Sequence, residues 1–319
     1  MLKSRRILVI GGAGFFGTNL VEHLLMHTPE KLTVLDSLDP KFQSDATRVR
    51  GLSTRVEFVQ GDYCDAEVIR PLVRDHDSII NLAAQTSHPF SMQEPLLDAR
   101  INALGHLQLL QLVREVHPTA QVIYPSSSTL IGRAQYEPID EAHPEHPLDI
   151  YSAHKGIAEK YSYIYSNAFD IPTTTIRFAN LFGPYGKKDP AFGFMNYFIE
   201  EARAGKRLRV FGDGAQLRNV LYIVDACDIL IRTIGNPLFY GKTFFAVHQE
   251  HYAVANIAAA IAEIFDTTVE FVAWPELRKK IDVHSVRISS TLLPQLTEWA
   301  PAFGMREGLL HTKHKYASQ

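Results

Sequence analysis

The feature that most restricts this chain lies near its start, where the apolar run Ile7-Leu8-Val9-Ile10 breaks directly into Gly11-Gly12-Ala13-Gly14-Phe15-Phe16-Gly17. A run of that length reads as a buried strand, and the segment Phe16–Met26 behind the glycines reads as a helix. Glycines at such a junction allow a tight turn, close approach of backbone to a bound group, and close helix–strand packing. The helix start adds free N–H groups and the positive end of a dipole, which together suit a pyrophosphate. No Gly-Lys-Ser/Thr sequence follows, so the loop is not of the triphosphate-binding kind.

The rest of the first half repeats the theme. Leu32–Leu35, Val56–Val59, Ser78–Asn81, Gln121–Tyr124 and Thr173–Phe178 read as short strands with apolar residues in each, and helical segments lie between them. That alternation predicts an α/β fold, a Rossmann-like doubly wound parallel sheet covered on both faces. The segment Pro95–Val116 is apolar around most of its circumference and predicts a helix covered by the sheet and by a second subunit. Beyond Ala179 the pattern loosens, with turn signals at Gly183-Pro184, Asp189-Pro190 and Gly212-Asp213-Gly214. Helices are expected at Asp225–Ile234 and Val254–Phe265, and a strand at Thr243–Val247. The expected division is a dinucleotide-binding domain from residues 1–180 and 220–250. A smaller, partly interleaved α/β substrate-binding domain takes 181–219 and 251–319. The polar tail His311–Gln319 is expected to fray.

Composition narrows the setting. A net charge of -3 over 319 residues gives no reason to expect a nucleic-acid or membrane-surface partner. Cys64 and Cys227 are the only cysteines and have no paired spacing, which speaks against a disulfide scaffold and for a reducing, cytoplasmic setting. The run Ile7–Ile10 is too short for a signal peptide's apolar region, and no stretch reaches transmembrane length. His143 with His146, and His311 with His314, lack the spacing of a metal site, so no metal is expected.

Two acidic residues follow later strands. Asp36 ends the second strand, where a carboxylate accepts both ribose hydroxyls of NAD and repels the extra phosphate of NADP; a capping or turn role is the alternative. Asp62, beside Tyr63 and beyond the third strand, is placed to accept the adenine amino group, although its spacing equally allows a turn aspartate. NAD is the expected cofactor.

Tyr151-Ser152-Ala153-His154-Lys155 sets a tyrosine and a lysine four residues apart, on one face of a helix. A free tyrosine, with a pKa of about 10, is a poor base near neutrality. A neighbouring ammonium and a cationic nicotinamide ring would stabilise its phenolate. Taken alone the pair could lie on the surface. It is joined, however, by Pro125-Ser126-Ser127-Ser128-Thr129 at a strand's C-terminal end, where doubly wound sheets bind their ligands.

With these segments in hand, the sequence resembles the extended short-chain dehydrogenase/reductase family, in its nucleotide-sugar epimerase/dehydratase branch. The likeness runs from Gly11 to about Gly308. Besides the glycine loop and the Tyr-Ser-Ala-His-Lys segment, it rests on Asn-Leu-Ala-Ala (81–84), Ser-Ser-Ser-Thr-Leu-Ile-Gly (126–132), Arg-Phe-Ala-Asn-Leu-Phe-Gly-Pro (177–184) and Gly-Asp-Gly-Ala-Gln-Leu-Arg-Asn (212–219). The resemblance implies that Ser127 orients proton transfer, that Tyr151 is the base and Lys155 its partner, and that Asn102 supports them. Gly11, Gly14, Phe15, Phe16 and Gly17 would hold the cofactor, with Leu82, Ala83 and Ala84 along it and Phe178 near the nicotinamide. Asn180, Phe211 and Arg218 match positions that hold a nucleotide diphosphate, and Arg287 is a further candidate. A nucleotide-diphosphate sugar is the implied substrate. The implied assembly is a homodimer, with Pro95–Val116 and Tyr151–Ala168 packed as a four-helix bundle.

Within that branch the residues after the active serine separate the chemistries. Dehydratases carry Asp-Glu there and decarboxylases a glutamate in the segment; this chain carries Ser128-Thr129, which cannot do that acid–base work. What remains is 4-epimerisation, through transient oxidation at C4 to a 4-keto sugar and re-reduction on the other face. A 4-ketoreductase or dehydrogenase is the nearest alternative, and a catalytically idle scaffold the distant one. Two departures from the family pattern stand out: Asn219, where an aspartate is usual, and the sugar-pocket segment Gln85-Thr86-Ser87-His88-Pro89-Phe90. Thr86 and His88 are therefore candidates for sugar contact. His88 could serve as a base beside a ketone, or simply bind or pack.

Overall fold

The computed structural model describes residues 2–318. Twelve strands run in chain order: β1 (Arg6–Ile10), β2 (Lys31–Asp36), β3 (Val56–Gln60), β4 (Ser78–Asn81), β5 (Gln121–Ser127), β6 (Thr173–Phe178), β7 (Asn180–Phe182), β8 (Leu208–Phe211), β9 (Leu217–Tyr222), β10 (Lys242–Ala246), β11 (His251–Ala253) and β12 (Val269–Val272). Seven of them form one sheet in the order β10-β6-β5-β4-β1-β2-β3, and every neighbouring pair in it is parallel. This is the expected doubly wound sheet. Its strand order reverses between β1 and β4, and that switch point opens a crevice beyond the strands' C-terminal ends. The side chains explain the burial: Ile7, Leu8, Val9, Ile79, Ile80, Val122 and Ile123 are all inaccessible, as strands covered on both faces require.

The helices used below are α1 (Phe15–Met26), α2 (Ala46–Leu52), α3 (Ala66–Arg74), α4 (His88–Gln93), α5 (Pro95–Ala99), α6 (Gly105–Val116), α7 (Ile150–Phe169), α8 (Phe194–Arg203), α9 (Ile223–Thr233) and α10 (Val254–Phe265). Between α5 and α6 the chain stays helical through one π turn, Arg100–Leu104, closed by a bond from the Gly105 N–H to the Arg100 carbonyl. Two small sheets, β11-β9-β7 and β12-β8, lie among the later elements. Unlike β10 of the main sheet, the short strands of these two sheets carried no pattern that marked them in the sequence.

The tail corrects one expectation. Met305–Ala317 is a helix rather than a frayed end, because Met305, Leu309 and Thr312 are buried along one side of it. His311 Nδ1 lies 2.8 Å from the Tyr222 hydroxyl and Lys315 pairs with Glu22, so polar residues become anchors. Gln319 lies outside the described residues. No described helix is long and apolar enough to cross a membrane.

Candidate active site

The crevice at the switch point is a cleft of about 360 Å³. One wall is the glycine loop. Gly11 has φ +76°, and a Cβ there would lie 2.6 Å from the Ala83 nitrogen, so the segment Leu82–Ala84 rests directly on the loop. A Cβ on Gly17 would lie 2.4 Å from the Gly12 Cα, which makes glycine obligatory where α1 meets the strand. The first turn of α1 has no side-chain cap and no acidic residue, leaving its positive end uncompensated. Gly11, Gly14, Phe15, Phe16, Gly17, Leu82, Ala83 and Ala84 all line the cleft, and Phe16 meets Phe178 edge-on at 5.4 Å between ring centroids.

Asp36 lines the same wall and is 5% exposed. One carboxylate oxygen accepts the Ala13 N–H at 3.0 Å and the other the Leu38 N–H at 2.9 Å. The turn role and the cleft position thus coincide in one residue, which ties the glycine loop to the end of β2. Asp62 also serves a turn, accepting the Cys64 N–H at 2.9 Å, while its other oxygen pairs with Arg100 from the π turn. Tyr63 is buried and donates to the Ile101 carbonyl. Arg100 was not singled out in the sequence, because nothing local marks a residue whose partner is 38 positions away.

Tyr151 and Lys155 stand on α7, whose N-cap is Asp149. Both line the cleft with Ser126, Ser127, Ser128 and Thr129 from the end of β5. Burial pushes the Tyr151 hydroxyl well above its ordinary value, Asp149 and Asp98 add to this, and Ser127 acts in the opposite direction. The expected depression of that hydroxyl by Lys155 is absent from this arrangement. The reason is geometric: the Lys155 ammonium donates to the Pro125 carbonyl at 2.7 Å and sits 3.9 Å from the centre of the Tyr124 ring. Burial brings Lys155 down to about 7, against the pull of Glu159 and Asp98. The Ser127 and Thr129 hydroxyls are 2.9 Å apart, and Ser152 donates to Thr129 at 2.9 Å. The Ser126 hydroxyl is buried and has no partner among the described residues.

Asn102 does not line the cleft. Its amide nitrogen donates to the Gln85 carbonyl at 2.8 Å and its oxygen accepts the Gln85 N–H at 3.1 Å, so it grips from behind the segment that carries Thr86 and His88. Gln85 in turn donates to Asp98 at 2.7 Å. Thr86, His88 and Asn180 line the cleft; Asn180 donates to the Asn219 carbonyl at 2.8 Å. The other three diphosphate candidates stand elsewhere. Phe211 packs on Trp274 at 5.4 Å, Arg218 pairs with Asp282 at 2.6 Å, and Arg287 is exposed. Lys187, which lines the cleft, and Asp149, which stands behind His88 and outside the lining, escaped the sequence reading. Lys187, brought by burial to about 8, lies 4.0 Å from the Phe192 ring centre, and no motif marks it. Asp149, which contacts His88, could have been found as the N-cap preceding an apolar helical run. Among the described residues no group of three or more His, Cys, Asp or Glu is placed to hold a metal ion.

The cleft suits a dinucleotide on three counts: a close-packed backbone loop in which Gly11 and Gly17 admit no Cβ, an uncapped helix start, and a buried Ser126 hydroxyl with no partner among the described residues. Comparison with known proteins agrees. The NAD dependent epimerase/dehydratase family matches residues 7–244. The UDP-glucose 4-epimerase of Mycolicibacterium smegmatis is 28% identical over 310 residues, covering 96% of this chain and 97% of that protein. The UDP-glucuronic acid decarboxylase 1 of Xenopus tropicalis is 27% identical over 329 residues, covering 99% and 73%. Among solved structures, Thermus thermophilus UDP-glucose 4-epimerase in complex with NAD superimposes with a TM-score of 0.87 at 25% identity, covering 98% of this chain and 99% of that one. Relatives at similar distance thus run different reactions on nucleotide sugars, and what the family match, the fold and the cleft establish together is that this chain belongs to the NAD-dependent epimerase/dehydratase family.

Proposed function

We propose that the protein is an NAD-dependent epimerase of a nucleotide-diphosphate sugar, inverting C4. The observation that carries this reading is the set Ser127, Tyr151 and Lys155 at one end of the cleft, followed by Ser128 and Thr129 where an acidic residue would be needed for dehydration or decarboxylation. Bound NAD supplies hydride acceptance from C4 and its return to the opposite face of the flat ketone.

The chain's own residues do the rest. Tyr151 takes the proton from the C4 hydroxyl and later gives it back, while Ser127 holds the same oxygen by a hydrogen bond. Lys155, poised near neutrality, carries the charge that favours the Tyr151 phenolate once a ligand draws its ammonium away from the Pro125 carbonyl. Asp36 accepts the ribose hydroxyls and Asp62 the adenine amino group. Thr86, His88 and Asn180 hold the sugar and diphosphate, and Asn102 positions the loop beneath them. Arg218, Phe211 and Arg287, in the smaller nucleotide-binding unit of 181–219 and 251–319, would reach the nucleotide only by moving, Arg218 by leaving Asp282. A homodimer is supported by apolar side chains left open on α5–α7: Leu96 is 85% exposed, Leu104 57% and Ile164 49%. A monomeric mass at micromolar concentration rejects that assembly.

The test is direct. Protein purified without added cofactor is offered a panel of nucleotide sugars, and products are followed by NMR. A C4 epimer is expected. Absence of turnover until NADH and a keto sugar are supplied would move the protein to the reductases.

A further inference from the structure

The sugar end of the cleft contains an acid–base pair that inversion at C4 does not use. His88 opens α4 and lines the cleft, its side chain about a third exposed. Its Nδ1 lies 2.7 Å from an oxygen of Asp149, and its ring meets the Tyr151 ring edge-on at 4.9 Å between centroids. Asp149 is buried and held from the other side, because its second oxygen accepts the Ser152 N–H at 2.8 Å as the cap of α7. Burial alone would push that carboxyl up; the hydrogen bond and charge of His88, with Ser152, hold it below the ordinary carboxylate range. An ionised Asp149 places a hydrogen on Nδ1, and in the neutral ring the lone pair is then on Nε2. No partner occupies Nε2 among the described residues.

Capping needs only one oxygen of Asp149, so the cap does not account for the second contact. The neighbouring pair, His154 and Asp98 at 2.6 Å, differs in a telling way: neither residue lines the cleft, and Asp98 spends its second oxygen on Gln85.

We propose that His88, oriented by Asp149, is a general base that exchanges the proton on a carbon beside the sugar ketone, at C3 or C5, giving the cleft a second epimerisation. The inference rests on the reading that a 4-keto nucleotide sugar occupies this cleft. Nε2 takes the proton from that carbon, the C–H electron pair forms the enolate double bond, and the negative charge moves to O4. Tyr151 is protonated at this stage and its hydroxyl donates to O4. The imidazolium, charged beside Asp149, then returns a proton to the carbon, on the original face or, once the ring has turned over as inversion at C4 already requires, on the opposite one, so no oxidant, reductant or further reactant is consumed.

The experiment supplies the keto sugar ready made. Holoenzyme with excess oxidised NAD is incubated in heavy water with saturating UDP-4-keto-6-deoxyglucose, where no hydride is available, and the signals of H3 and H5 are followed by proton NMR. Enzyme-dependent loss of one signal is expected, slowed at least tenfold in His88→Gln and in Asp149→Asn, the second of which keeps a capping side chain on α7. No exchange above buffer, or an unchanged rate in His88→Gln, overturns the proposal. Inversion at C4 is measured separately on ordinary nucleotide sugars. Inversion without exchange leaves the 4-epimerase reading standing and removes His88 as a base; exchange without inversion does the reverse.

Discussion

At the proposed cofactor end of the cleft, side chains stand on or just beyond strands of a single sheet, and those named from the sequence line the opening. At the far end only Thr86, His88 and Asn180 do so, while Phe211, Arg218 and Arg287 are packed, paired or exposed elsewhere. The two ends differ in what fixes them. Backbone geometry fixes the first: glycines that tolerate no Cβ, and an aspartate held by two N–H groups. Side-chain partners fix the second, and a partner such as Asp282 can be exchanged for a ligand. The proposed cofactor end is therefore held by backbone geometry, and the proposed substrate end by side-chain pairs that a ligand would have to replace.

Four measurements break or sharpen that contrast. Tyr151→Phe should lower epimerase turnover by about 10²–10⁴-fold, as loss of a proton-transferring group does, with NAD still retained on purification. Full activity in that variant would falsify the assignment of the base. Arg218→Ala should weaken nucleotide-sugar binding about 10- to 100-fold, the worth of a charge-assisted contact, and leave NAD affinity alone. An unchanged sugar affinity in calorimetry would make the Asp282 pair purely structural. Gly17→Ala should cost about 1–3 kcal/mol of stability through overpacking and reduce NAD affinity as well, read from thermal melts with and without cofactor. If the melt with NAD shifts as far as in the native chain, the rigid end is less rigid than described.

The smallest effect concerns pH. His106, wholly buried between Asn81 and Ser162, is held down to about 3 by burial and by Lys155. Its folded pKa is below its unfolded value near 6.5, so stability is complete above that value and falls as pH drops toward 3. Between pH 7 and 5.5 this one residue should cost about 1 kcal/mol. His106→Gln should flatten that slope in chemical denaturation; an unaltered slope assigns the loss to other groups.

Much of this could be read in the sequence because it depends on local rules. The main-sheet strands declared themselves by short apolar segments alternating with helical ones, the glycine loop by its spacing, and Tyr151 with Lys155 by helical periodicity. The short strands β7, β8, β9, β11 and β12 did not, since three to six residues with mixed burial match no period. The terminal helix was misread because its anchors are His311 and Lys315, polar residues whose partners, Tyr222 and Glu22, are remote in the chain. For the same reason, the pairing of Arg218 with Asp282 and the gripping of Gln85 by Asn102 became visible only in three dimensions.

The π turn at Arg100–Leu104 also sets a rule for insertions and deletions. Eight positions separate Asp98 from His106, which on a regular α-helix would place them about 80° apart in azimuth. One residue absorbed by the wider turn reduces that to about 20°, and both side chains then reach α7, Asp98 at His154 and His106 at Ser162. Deleting a single residue of the turn would leave seven positions between them, again about 20° on a regular α-helix, so an unbroken ladder would replace the π turn with both halves still in phase. The segment thus has room to lose one residue, whereas an added residue or a second deletion would turn one half of the helix by about 100° against the other.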